Sequence, residues 1–183
     1  MLRFNEYGYL PPGIHEMTID ELKESILVKG DESVSVWNEP WRRYLVLNLE
    51  VLLQPLWQLG FDEVFLDGSF CSIKEKPGDI DAYFELDLKV ENRYQALEQV
   101  YILAHELNSL STVPVWNWWE KRPNADGEMK SEMWHQFRCE VYPNCYGVYA
   151  FQNQDGGRIK FDQLFRYDEN GIEKGIVKLL LKG

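Results

Sequence analysis

The chain has 183 residues, 45% of them apolar and 14% aromatic, and 30 acidic residues against 19 basic ones give a net charge of −11. This composition supports a folded core, and we expect one domain over residues 1–183. The negative charge argues against a DNA- or RNA-binding module, because the phosphates of nucleic acid would be repelled. No apolar run approaches the 18 residues of a membrane helix, so we expect no membrane span.

The cysteines, Cys71, Cys139 and Cys145, form no CxxC pair, so the sequence predicts no zinc site. The first residues lack the long apolar stretch of a secretory signal. We therefore expect reduced cysteines and a cytoplasmic protein. The sequence leaves the oligomeric state open.

An arm and two helices are predicted for the first third of the chain. Residues 1–17 are rich in aromatic residues and proline, and we expect an ordered, non-helical arm that lies across the body. The residues from Thr18 to Glu21 fit a capping box, which starts a helix that ends near Gly30. Residues 40–60 have a broad apolar face at helical spacing and predict the longest helix.

Two strands and another helix follow. Residues 63–67 predict a strand that enters a Gly-Ser turn at positions 68 and 69. Residues 79–88 predict the next strand, paired antiparallel with the first. Residues 92–108 have apolar residues at helical spacing and predict the second long helix.

The last part of the chain is less regular. Residues 111–133 give no clear pattern, whereas residues 136–142 alternate as in a strand. We expect a C-terminal extension at about 158–183, with a helical turn at 161–165 and a final apolar run at 175–181. The order helix–strand–strand–helix–strand predicts an α+β fold with α/β-type layers, in which a small mixed β-sheet packs against helices.

Asp79 and Asp81 carry the most chemical information. Side chains on a strand alternate between faces, so these carboxylates lie on one side, about 6–7 Å apart, and Ile80 points to the other. The two carboxylates repel each other unless a cation lies between them. Mg²⁺ accepts such oxygen ligands and also binds phosphates. Gly68 and Ser69 offer a phosphate free N–H groups and a hydroxyl.

Phosphoryl and nucleotidyl transfer sites commonly use two metal ions, which clamp the attacking and leaving oxygens, and a third carboxylate. Glu140 is our candidate, because alternation places it on the polar face of the strand predicted at 136–142. There it would bind metal and help to deprotonate an acceptor hydroxyl. Glu85 and Asp162 are the alternatives.

Gly68-Ser69, followed ten positions after the serine by Asp79-Ile80-Asp81, resembles the signature of the polymerase-beta-like nucleotidyltransferase superfamily. The resemblance covers mainly residues 62–88. It implies a nucleotidyltransferase-like fold and the transfer of a nucleoside monophosphate from a nucleoside triphosphate to a hydroxyl with Mg²⁺. Over nearly the whole chain, the sequence also resembles a small uncharacterised bacterial group within that superfamily, through residues 5–15, 66–81, 139–143 and 168–179.

The chain departs from the superfamily pattern in its loop and in its third carboxylate. Ile73 stands where many members have a second glycine, and we expect Lys74 and Lys76 in this loop to reach the triphosphate. Glu140 is a glutamate and lies 59 positions after Asp81 (140 − 81), further than in the minimal enzymes. Alone, a Gly-Ser turn or an Asp-x-Asp pair is common on solvated surfaces, so only their combination and spacing indicate this chemistry.

Two functions remain open on the sequence alone. The first is a Mg²⁺-dependent nucleotidyltransferase with catalytic and metal residues Asp79, Asp81 and Glu140, whose acceptor is a protein, a small molecule or an RNA end. The resemblance implies a partner toxin as one protein acceptor, in a toxin–antitoxin or phage-defence setting. The second is a catalytically inactive protein of the same fold that acts as an antitoxin or adaptor, since an acidic surface suits a basic partner and aromatic residues can anchor it.

Overall fold

The computed structural model describes residues 2–31, 34–147, 151–152, 158–164, 166–168 and 170–180. The described strands are β1 (Ile14–Thr18), β2 (Glu63–Asp67), β3 (Ile80–Glu85), β4 (Lys121–Pro123), β5 (Met129–Ser131), β6 (Cys139–Asn144), β7 (Phe151–Gln152), β8 (Arg158–Ile159) and β9 (Ile176–Leu180). The described helices are α1 (Ile19–Glu24), α2 (Ile26–Lys29), α3 (Glu39–Gln58), α4 (Arg93–Leu110), α5 (Glu132–Phe137) and α6 (Phe161–Leu164). A 3₁₀ turn at Gly68–Cys71 follows β2.

A five-stranded mixed sheet forms the centre of the fold, with the strand order β1-β9-β2-β3-β6. The pairs β1–β9 and β3–β6 are parallel, and the pairs β9–β2 and β2–β3 are antiparallel. This arrangement confirms the predicted α+β fold with a small mixed sheet and helices. In the described part of the chain, no helix is long and apolar enough to cross a membrane.

Both chain ends contribute strands to this sheet. Residues 1–17, expected as an arm across the body, supply β1 at the edge, and the C-terminal extension supplies β9 between β1 and β2. The final apolar run expected at 175–181 forms β9 as far as Leu180, and residue 181 lies outside the described residues. The last residues of the arm and the last described residues of the extension therefore belong to the sheet.

The first predicted helix is divided in two by a serine. The capping box is confirmed, since Thr18 and Glu21 each bond the other's backbone N–H. At Ser25 the hydroxyl donates to the carbonyl of Leu22 and accepts from the N–H of Leu27, so one side chain ends α1 and begins α2. Serine competes with the helix for backbone hydrogen bonds, which explains the break.

The two long helices are confirmed and pack on each other on one side of the sheet. From α3, Leu45, Leu49 and Leu53 are fully buried in the core. The apolar face predicted for α4 is partly wrong, because Tyr94 is 86% exposed and Tyr101 66% exposed. A narrower stripe buries α4 instead, formed by Ala96, Val100, Leu103, Ala104 and Leu107.

The strand predicted at 136–142 begins later than expected. Residues 136 and 137 end helix α5, which Ser131 caps by accepting the N–H of Trp134. Arg138 then takes a left-handed conformation with φ 55°, and its guanidinium stacks on Trp134 at 3.8 Å. The strand β6 starts at Cys139 and runs through Pro143, which an edge strand accommodates. Helix α5 and its C-terminal cap thus override the alternating pattern at its first three positions.

Residues 111–133, which gave no pattern, form a buried segment and a hairpin. The indole rings of Trp116 and Trp118 are buried, and Trp118 donates from Nε1 to the carbonyl of Val141 on β6 at 2.7 Å. The strands β4 and β5 then pair as an antiparallel hairpin. Its turn includes Gly127 with φ 83°, where an L side chain would be strained.

Candidate metal centre

The register of three neighbouring strands places their acidic residues side by side. Asp67 on β2 pairs with Asp81 on β3, and Asp81 pairs with Glu140 on β6. The residues that alternate with them, such as Ile80 and Val141, are fully buried in the core. The acidic side chains therefore share the opposite face of the sheet.

Asp79, Asp81 and Glu140 form the predicted carboxylate cluster. One oxygen from each lies within 4.8 Å of the others, a spacing that can hold a metal ion. The alternatives are not part of it: Glu85 accepts hydrogen bonds from the Asn144 amide at 2.9 and 3.1 Å, and Asp162 lies on α6. The structure thus brings together the three residues that the sequence selects.

Burial makes the ionised form of this cluster unfavourable unless a positive charge lies nearby. Burial, together with the charges of Asp79 and Glu140, raises the pKa of Asp81 to about 7. A dication between these carboxylates would favour their ionised forms and oppose this shift. All-oxygen ligands are those that Mg²⁺ prefers.

Neighbouring groups fix two of the carboxylates. The Tyr142 hydroxyl donates to Glu140 Oε1 at 3.0 Å, and the Ser131 N–H donates to the same oxygen at 3.4 Å. Trp134 Nε1 donates to Asp79 Oδ2 at 2.8 Å. These bonds hold the carboxylate oxygens in fixed orientations, as the surroundings of metal sites commonly do.

Lys130 is a site residue that the sequence analysis missed. Its Nζ lies 3.2 Å from Asp79 Oδ2 and 3.8 Å from Glu140 Oε2. The lysine is on β5 and reaches the cluster because the hairpin folds back beside β6. The turn at positions 126 and 127 was the available signal, because a hairpin there returns residue 130 toward the start of α5.

The Gly-Ser turn lies at the end of β2, as predicted. Gly68 has φ 71°, and a Cβ there would collide with the carboxylate of Asp81. Glycine is therefore required both for the backbone conformation and for the close approach of Asp81. The Gly-Ser turn and the Asp-x-Asp pair, which together form the sequence signature, are therefore in direct contact.

Arg42 holds the loop after this turn and was also missed. The side chain is fully buried, and its guanidinium donates to four carbonyl oxygens. Nη1 bonds Leu27 and Phe70, and Nη2 bonds Ser72 and Lys74, at 2.6 to 2.9 Å. Arg42, on helix α3, therefore fixes the conformation of the loop that follows the Gly-Ser turn.

The loop lysines lie apart from the carboxylates. Lys74 and Lys76 are exposed, and Nζ of Lys76 lies 5.0 Å from the centroid of the Trp41 ring. Within the described residues, neither ammonium forms an ion pair with the cluster. Their contact with a triphosphate stays a prediction, whereas Lys130 already contacts the site.

Asp67 is a further buried carboxylate beside the cluster. It is 2% exposed, and Oδ1 accepts the Gly68 N–H at 2.7 Å. Oδ2 has no hydrogen-bond partner among the described residues. Burial raises the pKa of Asp67 to about 7. Its position directly before the glycine at a strand end does not by itself indicate this burial.

The pH dependence of the stability of an Asp67 variant tests the environment of this carboxylate. The protonated form of Asp67 is favoured by folding, so its contribution to stability is complete below pH 4 and is lost as the pH rises through about 7. We expect Asp67→Asn to gain about 2 kcal/mol relative to the wild type between pH 4 and pH 8. Urea unfolding in a chelator buffer measures this difference. Asp62→Asn, at an exposed residue directly before the same strand, should show none, and a pH-independent difference for Asp67→Asn would contradict the assignment.

The fold and the site define an α+β protein with a three-carboxylate cluster on one face of a mixed sheet. The family described as "Family of unknown function (DUF6932)" matches residues 2–180, so the chain belongs to this family. No curated protein and no solved structure matches the chain. Its function must therefore be argued from the site.

Proposed function

We propose that this protein is a Mg²⁺-dependent nucleotidyltransferase of the polymerase-beta-like superfamily. Its reaction would transfer a nucleoside monophosphate from a nucleoside triphosphate to a hydroxyl group and release pyrophosphate. The observation that carries the proposal is the cluster of Asp79, Asp81 and Glu140, with three oxygens within 4.8 Å. The cluster lies against Gly68, whose turn follows β2.

Each residue has a defined task in this reaction. Asp79 and Asp81 would hold Mg²⁺, which supplies the positive charge that neutralises the phosphates. Glu140 would complete the ligand set and help to accept the proton of the attacking hydroxyl. The Gly68 N–H already donates to Asp67 Oδ1, so the N–H and hydroxyl of Ser69 would orient the triphosphate.

The charge of the protein restricts the acceptor. A net charge of −11 repels an RNA end, so a hydroxyl of a protein or a small molecule is favoured. A basic protein, such as a partner toxin, would be attracted by the same field. Labelled nucleoside triphosphates and Mg²⁺, incubated with extracts, would reveal the acceptor by its modification.

The third carboxylate provides a direct test. We expect Glu140→Gln to weaken Mg²⁺ binding at least about tenfold, because a ligand charge is lost. Calorimetric titration with Mg²⁺, alone and with each nucleoside triphosphate, measures the effect. Glu85→Gln removes a carboxylate of β3 outside the cluster and should bind as the wild type does. Equal Mg²⁺ affinity of Glu140→Gln and the wild type would show that Glu140 is not a metal ligand.

A second candidate is an inactive protein of the same fold that serves as an antitoxin or adaptor. Exposed aromatic side chains favour it: Tyr101 and Trp119 lie with ring centroids 5.3 Å apart, and Tyr94 is 86% exposed on the same helix as Tyr101. Such residues anchor protein interfaces. Saturable, Mg²⁺-dependent nucleotide binding supports the enzyme, and its complete absence supports the adaptor.

A further inference from the structure

The hairpin formed by β4 and β5 places a cation among the carboxylates. Lys130 pairs with Arg122 in the hairpin register, and Arg122 Nε forms an ion pair with Glu132 at 2.9 Å. The Lys130 side chain is 22% exposed, and its Nζ lies 5.5 Å from the centroid of the Trp134 ring. The pairing of the hairpin and the adjacent helix α5 therefore direct this lysine toward the cluster.

The ammonium and a metal ion would compete for the same oxygens. Lys130 Nζ is 3.2 Å from Asp79 Oδ2 and 3.8 Å from Glu140 Oε2, and both carboxylates belong to the three-oxygen cluster. A dication bound among these oxygens would lie close to the ammonium and repel it. Metal entry thus requires Lys130 to move.

We propose that Lys130 is the counter-ion of the metal-free cluster and becomes a ligand of the substrate's phosphates when a divalent cation binds. This inference rests on the proposed function, and it couples metal entry to phosphate binding. The Lys130 ammonium then pairs with the carboxylates in the metal-free state and with the triphosphate in the metal-bound state.

A phosphate is the expected destination of the displaced ammonium. A triphosphate adds several negative charges to a face that already carries Asp67, Asp81 and Glu140. Lysine binds phosphate as a mobile point charge with three donors. Lys76 lies over the Trp41 ring and, among the described residues, forms no ion pair with the cluster, whereas Lys130 already contacts Asp79.

Two titrations of Lys130→Met give opposite expectations. Mg²⁺ alone should bind about tenfold more tightly than to the wild type, because no ammonium has to be displaced. Inorganic triphosphate, at saturating Mg²⁺, should bind about tenfold more weakly, because a phosphate ligand is lost. Lys89→Met, at an exposed lysine past the far end of β3, should bind both as the wild type does.

Opposite changes in the Mg²⁺ and triphosphate affinities distinguish this role from a structural one. If Lys130 were only structural, its replacement would weaken both affinities together. If Lys130→Met does not fold, Lys130→Gln, which also removes the charge, is titrated in its place. Mg²⁺ affinity equal to or below that of the wild type, or unchanged triphosphate affinity, would overturn the inference and leave the metal centre standing. If none of these proteins binds Mg²⁺, both the inference and the metal centre are overturned. The expected opposite changes without nucleotide transfer would instead contradict only the enzymatic assignment.

Discussion

Asp81→Asn is expected to abolish nucleotidyl transfer and, at the same time, to stabilise the metal-free protein. Asp81 is the middle carboxylate of the row, between Asp67 and Glu140, and burial raises its pKa to about 7. Its loss should lower activity at least about a thousandfold, or about 4 kcal/mol, because a metal ligand is removed. Removing a buried charge among like charges should add about 1–2 kcal/mol to the free energy of unfolding at pH 8.

The two effects are measured on the same preparation. Transfer is followed with labelled nucleoside triphosphate and Mg²⁺, and unfolding with urea in a chelator buffer at pH 8 and pH 4. The gain in stability should vanish near pH 4, where Asp81 is protonated in the folded protein. Asp87→Asn, past the other end of β3, is the matched control and should change neither quantity. Full activity of Asp81→Asn would contradict the proposed function, whatever the stability result.

Opposite signs for activity and stability are what distinguish a functional carboxylate from a structural one. A structural aspartate satisfies local donors, and its loss destabilises the fold. Asp81 instead has Asp79 and Glu140 as neighbours, whose charges oppose its ionisation. The fold retains this repulsion, which Lys130 offsets in part and a bound dication would relieve further.

Local patterns in the sequence predicted the framework of this site. The alternation of residues 63–67 and of residues 79–81 fixed which side chains share a face, and the Gly-Ser turn between the strands set their antiparallel pairing. Glu140 was selected by alternation, although the strand containing it begins three residues later than predicted. Period-two alternation survives such an error because a shifted start leaves the faces unchanged.

The residues that the sequence did not reveal act through contacts between distant segments. Lys130 meets Asp79 across 51 positions, and Arg42 meets the carbonyl of Lys74 across 32. No local period encodes such contacts, since they depend on how the hairpin and α3 pack around the sheet. Asp67 was overlooked for another reason: its role follows from burial, which a single aspartate at a strand end does not indicate.

Arg42→Met is expected to cause the largest loss of stability among these variants. Methionine keeps an unbranched apolar stem, but the carbonyls of Leu27, Phe70, Ser72 and Lys74 lose their donors. Unsatisfied buried carbonyls and the lost stacking on Trp37, which lies 3.9 Å from the guanidinium carbon, should together cost about 3–5 kcal/mol. Arg42→Lys should lose less, since one ammonium can reach only some of these oxygens. Urea unfolding measures both variants.

The neighbouring arginine supplies the control for this test. Arg43 lies one position further on α3 and forms an exposed ion pair with Glu39 at 2.7 Å, so Arg43→Met should change stability by less than about 1 kcal/mol. A similarly small change for Arg42→Met would show that the loop after Gly68 does not need its four bonds. A large loss, together with weaker binding of Mg²⁺ and inorganic triphosphate than by Arg43→Met, would show the reverse. In that case ligand binding and Arg42 stabilise the same loop conformation, and the buried arginine links α3 to the phosphate site.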